Sequence, residues 1–242
     1  MSAFRNRLFL AAALAQWVAC GCGGAAREVV SNEEASGAEP VPARESEGPL
    51  QVEGLLGDIP QYDVERAVQK KNDAIAACYQ EALDVSEQIE GSIEIAFDVG
   101  EDGSIASAHL RNGTLGSIAA ETCILDLAKR LVFPAPRGGT RALVVYPLAL
   151  EKPYDNPAPA DWSGAKAGAV ADEHGADVAR CLGGRGGVQL TVYVGSRGEV
   201  ISAGATSDEL ESAEAASCLA AAARAWKFPS PGPNNAKATL RF

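Results

Sequence analysis

Hydrophobic positions along the chain follow a recognisable succession of patterns. Between residues 64 and 83, apolar side chains recur every three or four positions, which predicts an amphipathic helix with Asp63 as its N-cap. Residues 91–99 alternate apolar and polar, the pattern of a strand with one buried face. The turn at residues 100–103 leads into a second strand over 104–110, so these strands should form an antiparallel hairpin.

The pattern continues with a helix and a closing strand. Ser117 is a candidate N-cap for the helix, which the Phe133-Pro134-Ala135-Pro136 segment ends. Residues 142–150 predict the last strand. The order helix, strand, strand, helix, strand indicates a small two-layer α+β domain with an antiparallel-type sheet.

The same plan recurs 95 residues later, because residues 91–136 align with 186–231 without a gap. The identical positions are mostly turn glycines, a cysteine and a Phe-Pro-x-Pro segment. Residues needed for the shared fold should recur in this way, whereas a residue with a special role could occur in one copy only. The elements predicted for the second copy are a helix near 171–182, strands over 188–194 and 199–205, a helix over 212–226 and a strand over 237–242.

We therefore expect two tandem domains, residues 61–151 and residues 169–242. Residues 152–168 contain three prolines and several small residues, which predicts a linker. Residues 23–60 are rich in Glu, Ala, Gly, Pro and Ser, and this composition predicts a disordered acidic tether.

The amino terminus resembles the signal peptide and lipobox of a bacterial lipoprotein over residues 1–22. Arg5 and Arg7 precede an apolar stretch too short to span a bilayer, and a small residue precedes a cysteine at its end. Cys20 is the expected lipidation site, and Cys22 is the alternative if cleavage shifts. A plain secretory signal with incidental cysteines is the other interpretation. We expect an exported protein, anchored by lipid in the cell envelope at the outer membrane and facing the periplasm.

Composition excludes one class of partner. The chain of 242 residues is 47% hydrophobic and 22% charged, which is ordinary for a globular protein. Its formal net charge of -11 at pH 7 would repel phosphates, so nucleic acid is not an expected partner.

Four cysteines recur as two equivalent pairs. Cys78 and Cys123 correspond to Cys181 and Cys218, and each pair lies on the two helices of one predicted domain. In an exported protein, this usage predicts one structural disulfide per domain. A redox pair is the alternative, but no Cys-x-x-Cys spacing supports it. Neither histidine recurs, so we expect no metal site and no cofactor.

Other motifs do not predict catalysis. Residues 98–103 start like a calcium loop, but the twelfth position is His109 rather than Glu, and the second copy lacks the acidic residues. Residues 183–187 lack the Lys-Ser/Thr of a phosphate loop. Without a G-x-S-x-G turn, neither His109 nor His174 belongs to a recognisable catalytic triad. We do not expect an enzyme.

Several motifs of the first unit occur together in one order. With them, residues 63–151 resemble the AgmX/PglI C-terminal domain, which is found in gliding-motility and related envelope proteins and is similar in plan to the C-terminal domains of TonB and TolA. The motifs are Cys78-Tyr79-Gln80-Glu81-Ala82-Leu83, a strand led by Gly91, Gly103-Ser104-Ile105, Thr114-Leu115, Cys123-Ile124, Phe133-Pro134-Ala135-Pro136-Arg137-Gly138-Gly139 and Val145-Tyr146-Pro147-Leu148.

The second unit departs from these motifs. It has Leu182 where the first has Tyr79, and it lacks the double glycine after the Phe-Pro-x-Pro segment. We expect the second unit to keep the fold rather than any shared binding surface.

The resemblance implies a non-catalytic module that binds or scaffolds envelope proteins of unknown identity. The last strands, 142–150 and 237–242, are the candidate sheet edges to which an extended peptide could add. A TonB-like transducer component is the alternative, although the chain has no uncleaved membrane helix and no long proline-rich spacer. A thiol-redox protein or a hydrolase is the remaining alternative.

Overall fold

A computed structural model describes residues 56–162 and 164–242, and all of them belong to one compact unit. We call residues 56–151 the first repeat and residues 160–242 the second repeat. The α+β fold expected from the sequence is confirmed, and each repeat places helices against one face of a small sheet. The predicted signal, with Cys20 and Cys22, lies outside the described residues.

The first repeat builds a sheet of three strands, which we call sheet 1. Strand β1 lies in the middle and pairs antiparallel with β2 on one side and β3 on the other. The elements in chain order are α1 (Gln61–Gln69), α2 (Asn72–Val85), β1 (Gly91–Val99), β2 (Ile105–Arg111), α3 (Ile118–Ala128) and β3 (Ala142–Leu150).

The single helix predicted over residues 64–83 is broken into α1 and α2. The break falls at the exposed Lys70 and Lys71, which follow the end of α1 and precede the start of α2. Asp63 is not the N-cap, because α1 begins two residues earlier, after Pro60. The predicted tether also ends earlier: the Gly57 N–H donates to the Arg141 carbonyl at 2.7 Å, so residues 56–60 belong to the fold.

The second repeat builds sheet 2, with strand order β4-β7-β5-β6. Strand β5 pairs antiparallel with β6 and β7, and β4 pairs parallel with β7. The elements are β4 (Ala160–Asp161), α4 (Ala165–Glu173), α5 (Gly175–Leu182), β5 (Val188–Val194), β6 (Val200–Ser207), a 3-10 turn (Leu210–Ser212), α6 (Ala213–Ala223) and β7 (Ala236–Arg241).

The predicted linker, residues 152–168, is therefore too long. Its second half contributes β4 and the start of α4, and it buries Trp162 and Ala167 in the core of the second repeat. Of the small residues in this part of α4, Ala167 is fully buried.

The recurring glycines and the Phe-Pro-x-Pro segments meet in the structure. The Phe133 N–H donates to the Gly103 carbonyl at 2.9 Å, and Phe228 makes the same 2.9 Å bond to Gly198. Both glycines have positive φ, and a Cβ on either would overlap the phenylalanine carbonyl. The repeat therefore preserves one contact between a hairpin turn and the end of a helix.

Candidate functional site

Strand β3 forms one edge of sheet 1, with β1 as its only neighbour in the described sheet. The Arg141 carbonyl accepts a bond from residue 57 on the side away from β1. Alternate residues of a strand direct their backbone N–H and C=O groups to the same side. Pro147, which has no N–H to pair with β1, is on the same alternation as Arg141. Leu143 and Val145 lie between them on this alternation, so their backbone groups also face away from β1.

The same two residues expose apolar side chains. Leu143 is 60% exposed and Val145 is 48% exposed, whereas the alternate residues Val144, Tyr146 and Leu148 pack against the core. An edge strand that combines outward backbone groups with exposed apolar side chains is a template for pairing with another chain.

Two depressions adjoin this edge. We call the first, about 550 Å³, the helix-side groove; it lies between β3 and α1 and is lined by Asp58, Val64 and Glu65. We call the second, about 300 Å³, the sheet-face cleft. It is bounded by the face of sheet 1 that points away from its helices and by residues 208–211 of the second repeat.

An ion pair fixes the start of β3. The Nε and Nη2 groups of Arg141 donate to the two carboxylate oxygens of Asp98, each at 2.5 Å. These hydrogen bonds, together with the negative charge of Asp98, raise the pKa of Arg141 above its ordinary value. The pair ties the edge strand to the central strand β1, and the bidentate geometry favours one orientation of Arg141.

The expectation that residues 237–242 form an edge is wrong at the start of strand β7. The short strand β4 pairs with Ala236 and Lys237, the first two residues of β7. The outer strand at this end comes from the segment that the sequence indicated as a linker. The expectation that β3 is an edge is confirmed.

The face of sheet 2 that points away from its own helices is covered by the first repeat. The connection between β2 and α3 crosses this face. Its backbone forms hydrogen bonds with side chains of the second repeat. The Gly113 N–H donates to Thr206 Oγ1 at 2.8 Å, and the Gly113 carbonyl accepts from Gln189 Nε2 at 2.6 Å. The Gly116 carbonyl accepts from Ser202 Oγ at 2.7 Å.

A second group of contacts surrounds the Glu90 backbone. Its carbonyl accepts bonds from Tyr193 Oη at 2.8 Å and from Lys237 Nζ at 2.6 Å. Burial raises the pKa of the Tyr193 hydroxyl, and burial lowers the pKa of the Lys237 ammonium although Glu90 opposes that shift. Tyr193 also joins the hydrophobic core of the first repeat. The two repeats therefore pack against each other as one folded unit.

Glu121 is a buried carboxyl group at this interface. Its side chain lies against Gly204 of the second repeat and is 4% exposed. Burial raises its pKa to about 7, against the effect of backbone N–H groups of Ser117, Gly116 and Ala205. Oε1 accepts from Gly116 N at 3.0 Å and from Ser117 N at 3.3 Å, so the carboxylate also caps the start of α3.

A cavity of about 60 Å³ adjoins Glu121. Its lining includes Ser207, whose Oγ is buried, like Glu121 Oε2, without a hydrogen-bond partner. Sequence patterns did not indicate Glu121 as an interface residue. The available signal was its place four residues after the helix cap Ser117, in only one copy of the repeat.

The four recurring cysteines form the two expected bonds. Cys78 pairs with Cys123 and Cys181 with Cys218, with Cα atoms 5.7 and 5.4 Å apart. The bonds close sequence separations of 45 and 37 residues, so each contributes about 4 kcal/mol in the chain-entropy model. Disulfides of this kind are typical of exported proteins.

The other motifs take structural places. Asp102 accepts bonds from the N–H and hydroxyl of Ser104, as in a hairpin turn. His109 lies 3.4 Å from the Asp208 carbonyl, and His174 stacks on Trp226 with ring centroids 4.9 Å apart. In the part of the chain that the structure describes, no His, Cys, Asp and Glu side chains form a metal-binding group.

The chain matches no family model, no curated protein and no solved structure. Within residues 56–162 and 164–242, none of the helices has the length and apolar composition needed to cross a membrane.

Proposed function

We propose that this protein is a non-catalytic, exported binding module of the cell envelope that recruits a partner protein by adding an extended segment of it to strand β3. The observation that carries the proposal is the exposed edge, where Leu143 and Val145 present both backbone groups and apolar side chains beside a groove of about 550 Å³. Main-chain hydrogen bonds to such an edge supply affinity, and the adjoining grooves supply specificity.

Two further features support this assignment. The resemblance of residues 63–151 to the AgmX/PglI C-terminal domain favours an envelope scaffold, with a link to gliding-motility or related envelope machinery. The disulfides fit an oxidising compartment.

The lipobox resemblance at Cys20, with Cys22 as the alternative, favours a lipid anchor at the outer membrane, facing the periplasm. Palmitate labelling tests this part of the proposal. We expect the label to be lost in the Cys20→Ser variant and retained in Cys22→Ser. Loss only in Cys22→Ser would move the site, and an unlabelled wild-type chain would contradict the anchor.

Site-specific photocrosslinking in intact cells tests the edge. A crosslinking residue at Leu143 should capture a discrete envelope protein that the same residue at Val132 does not capture. Val132 is the matched control because it is 70% exposed and lies outside the strands.

A backbone variant completes this test. The Val145→Pro change removes an N–H that faces away from β1, so it should abolish capture from Leu143 while sheet 1 remains paired. An unchanged circular dichroism spectrum confirms that the fold is intact. Equal capture from Leu143 and Val132, no capture from Leu143, or capture that survives Val145→Pro would each contradict the proposed edge site.

A further inference from the structure

The helix-side groove and the sheet-face cleft meet at the same stretch of β3. Leu143, Val144 and Val145 line both depressions. Side chains of a strand alternate between its two faces. A strand added to β3 would therefore direct one set of side chains into the groove and the other set into the cleft.

The helix-side groove is acidic. Asp58 and Glu65 line it, and no Lys, Arg or His side chain is part of its lining. The polar residues that complete this wall, Gln61 and Gln69, are neutral. A side chain that enters from an added strand therefore meets negative charge.

The sheet-face cleft also has an excess of negative charge. Its two arginines already have partners: Arg141 binds Asp98, and Arg111 Nε lies 3.3 Å from a carboxylate oxygen of Glu94. His109 faces the carbonyl of residue 208.

The far wall of this cleft supplies the excess. It comes from the second repeat and carries Asp208, Glu209 and Glu211, which form no ion pair within the described residues. Both sets of side chains on an added strand thus face carboxylates.

The apolar surface limits the composition further. Leu143 and Val145 on β3 and Leu210 across the cleft are all exposed. Aliphatic side chains, or the methylene stems of lysine and arginine, would cover them while a charged end reaches the carboxylates.

We infer that the segment that adds to β3 is basic, with lysine or arginine alternating with aliphatic residues. This inference rests on the edge-strand function proposed above and specifies the chemistry of the partner. Both depressions are acidic, so the basic side chains of the added strand can point into either the groove or the cleft. Binding should therefore depend on the alternation of basic and aliphatic residues more than on the register of the strand.

Three labelled peptides with one valine pattern test the inference on the full chain: Lys-Val-Lys-Val-Lys-Val, Gln-Val-Gln-Val-Gln-Val and Glu-Val-Glu-Val-Glu-Val. Fluorescence anisotropy should show the lysine peptide binding about tenfold more tightly than the glutamine peptide, as three partly exposed charge pairs would give, and the glutamate peptide binding weakest. The preference should fall when salt is raised from about 50 mM to about 500 mM, because exposed charges are screened.

A charge-neutral variant is the second arm. Combining Asp58→Asn, Glu65→Gln, Glu209→Gln and Glu211→Gln should bring the affinities of the lysine and glutamine peptides close together, by weakening the lysine peptide more than the glutamine peptide. Equal binding of these two peptides to the wild-type chain would overturn the inference and leave the edge site intact. Failure of the lysine peptide to bind would also overturn the inference.

The Val145→Pro variant separates this inference from the proposed function. It should weaken the lysine and glutamine peptides by the same factor, because both depend on the outward N–H. If the lysine peptide bound Val145→Pro as tightly as the wild-type chain, it would be held by charge away from the edge. That result would contradict the edge site itself.

Discussion

The faces of the two sheets that point away from their helices have different surroundings, although they come from equivalent residues. The face of sheet 2 is covered by residues 113–121 of the first repeat, and every residue of β5 is buried. The face of sheet 1 leaves an open cleft of about 300 Å³ against residues 208–211. One copy of the duplicated fold has thus become internal support, and the other keeps a free surface.

Equivalent positions explain the difference. On sheet 2, Gln189 and Thr206 are neutral side chains that pair with the backbone of Gly113. Their counterparts 95 residues earlier are Glu94 and Arg111, which pair with each other and remain partly exposed. Neutral donors and acceptors can be buried at low cost once they are paired, whereas burying charges is expensive.

The strand edges differ less. Strand β4 pairs with Ala236 and Lys237 at the start of β7, and residues 56–57 meet Arg141 just before β3. The covered face of sheet 2 and the open cleft on sheet 1 are therefore the main difference between the repeats. The second repeat holds the connection before α3 in place.

The largest effect that would test this difference between the repeats concerns Glu121, at the interface between them. The pKa of this carboxyl is about 7 in the folded chain and near 4.5 when exposed, so the folded state holds the proton more tightly. The stabilisation is fully present below about pH 4.5 and is lost as pH rises through about 7. The Glu121→Gln variant should lose this pH dependence. Above pH 7, its free energy of unfolding should exceed that of the wild-type chain by roughly 3 kcal/mol.

Urea unfolding of both proteins between about pH 4 and pH 8 measures the difference, and Glu101→Gln, an exposed turn residue, is the control. The control should follow the wild-type curve. A constant difference between wild type and Glu121→Gln across this range would show that Glu121 does not titrate at the interface, and the second repeat would then lack its acid-sensitive contact.

The sequence predicted the elements better than it predicted their surroundings. Alternation located β1, β2, β5 and β6 within one or two residues, and the recurrence of cysteines identified both disulfides. These features depend on local periodicity and on the duplication, which are readable in one chain.

The interface between the repeats was not predictable for a physical reason. Gln189, Thr191 and Tyr193 alternate with valines and leucine, which indicates a strand with one wet face. These polar side chains are buried, because the first repeat offers backbone groups where the pattern implied water. Alternation distinguishes polar from apolar faces, but it does not distinguish solvent from a polar protein surface.

The edge site was predicted in part for a related reason. The closing strand was recognised as a candidate edge, but its grooves depend on α1, on residues 56–60 and on the loop at 208–211. These segments come together only in the folded chain. No periodicity in β3 itself indicates which carboxylates adjoin it.

A smaller effect would test the close approach of the repeats at Gly204. The equivalent residue of the first repeat is His109, beside the open cleft, whereas a Cβ on Gly204 would overlap the Glu121 carboxylate. Gly204→Ala should therefore lower the unfolding free energy by about 1–3 kcal/mol through overpacking. Gly168→Ala, in α4 with no atom near its Cβ, should instead be stabilising by about 0.5–1 kcal/mol.

A double variant decides whether the loss at Gly204 arises from this contact. Combined with Glu121→Ala, which removes the carboxylate, Gly204→Ala should cost little further, and the non-additivity measures the coupling between the repeats. Equal costs of Gly204→Ala with and without Glu121 would place the strain elsewhere in β6. The tight closure of one face and the open cleft at the other would then need a cause other than the residue at this position.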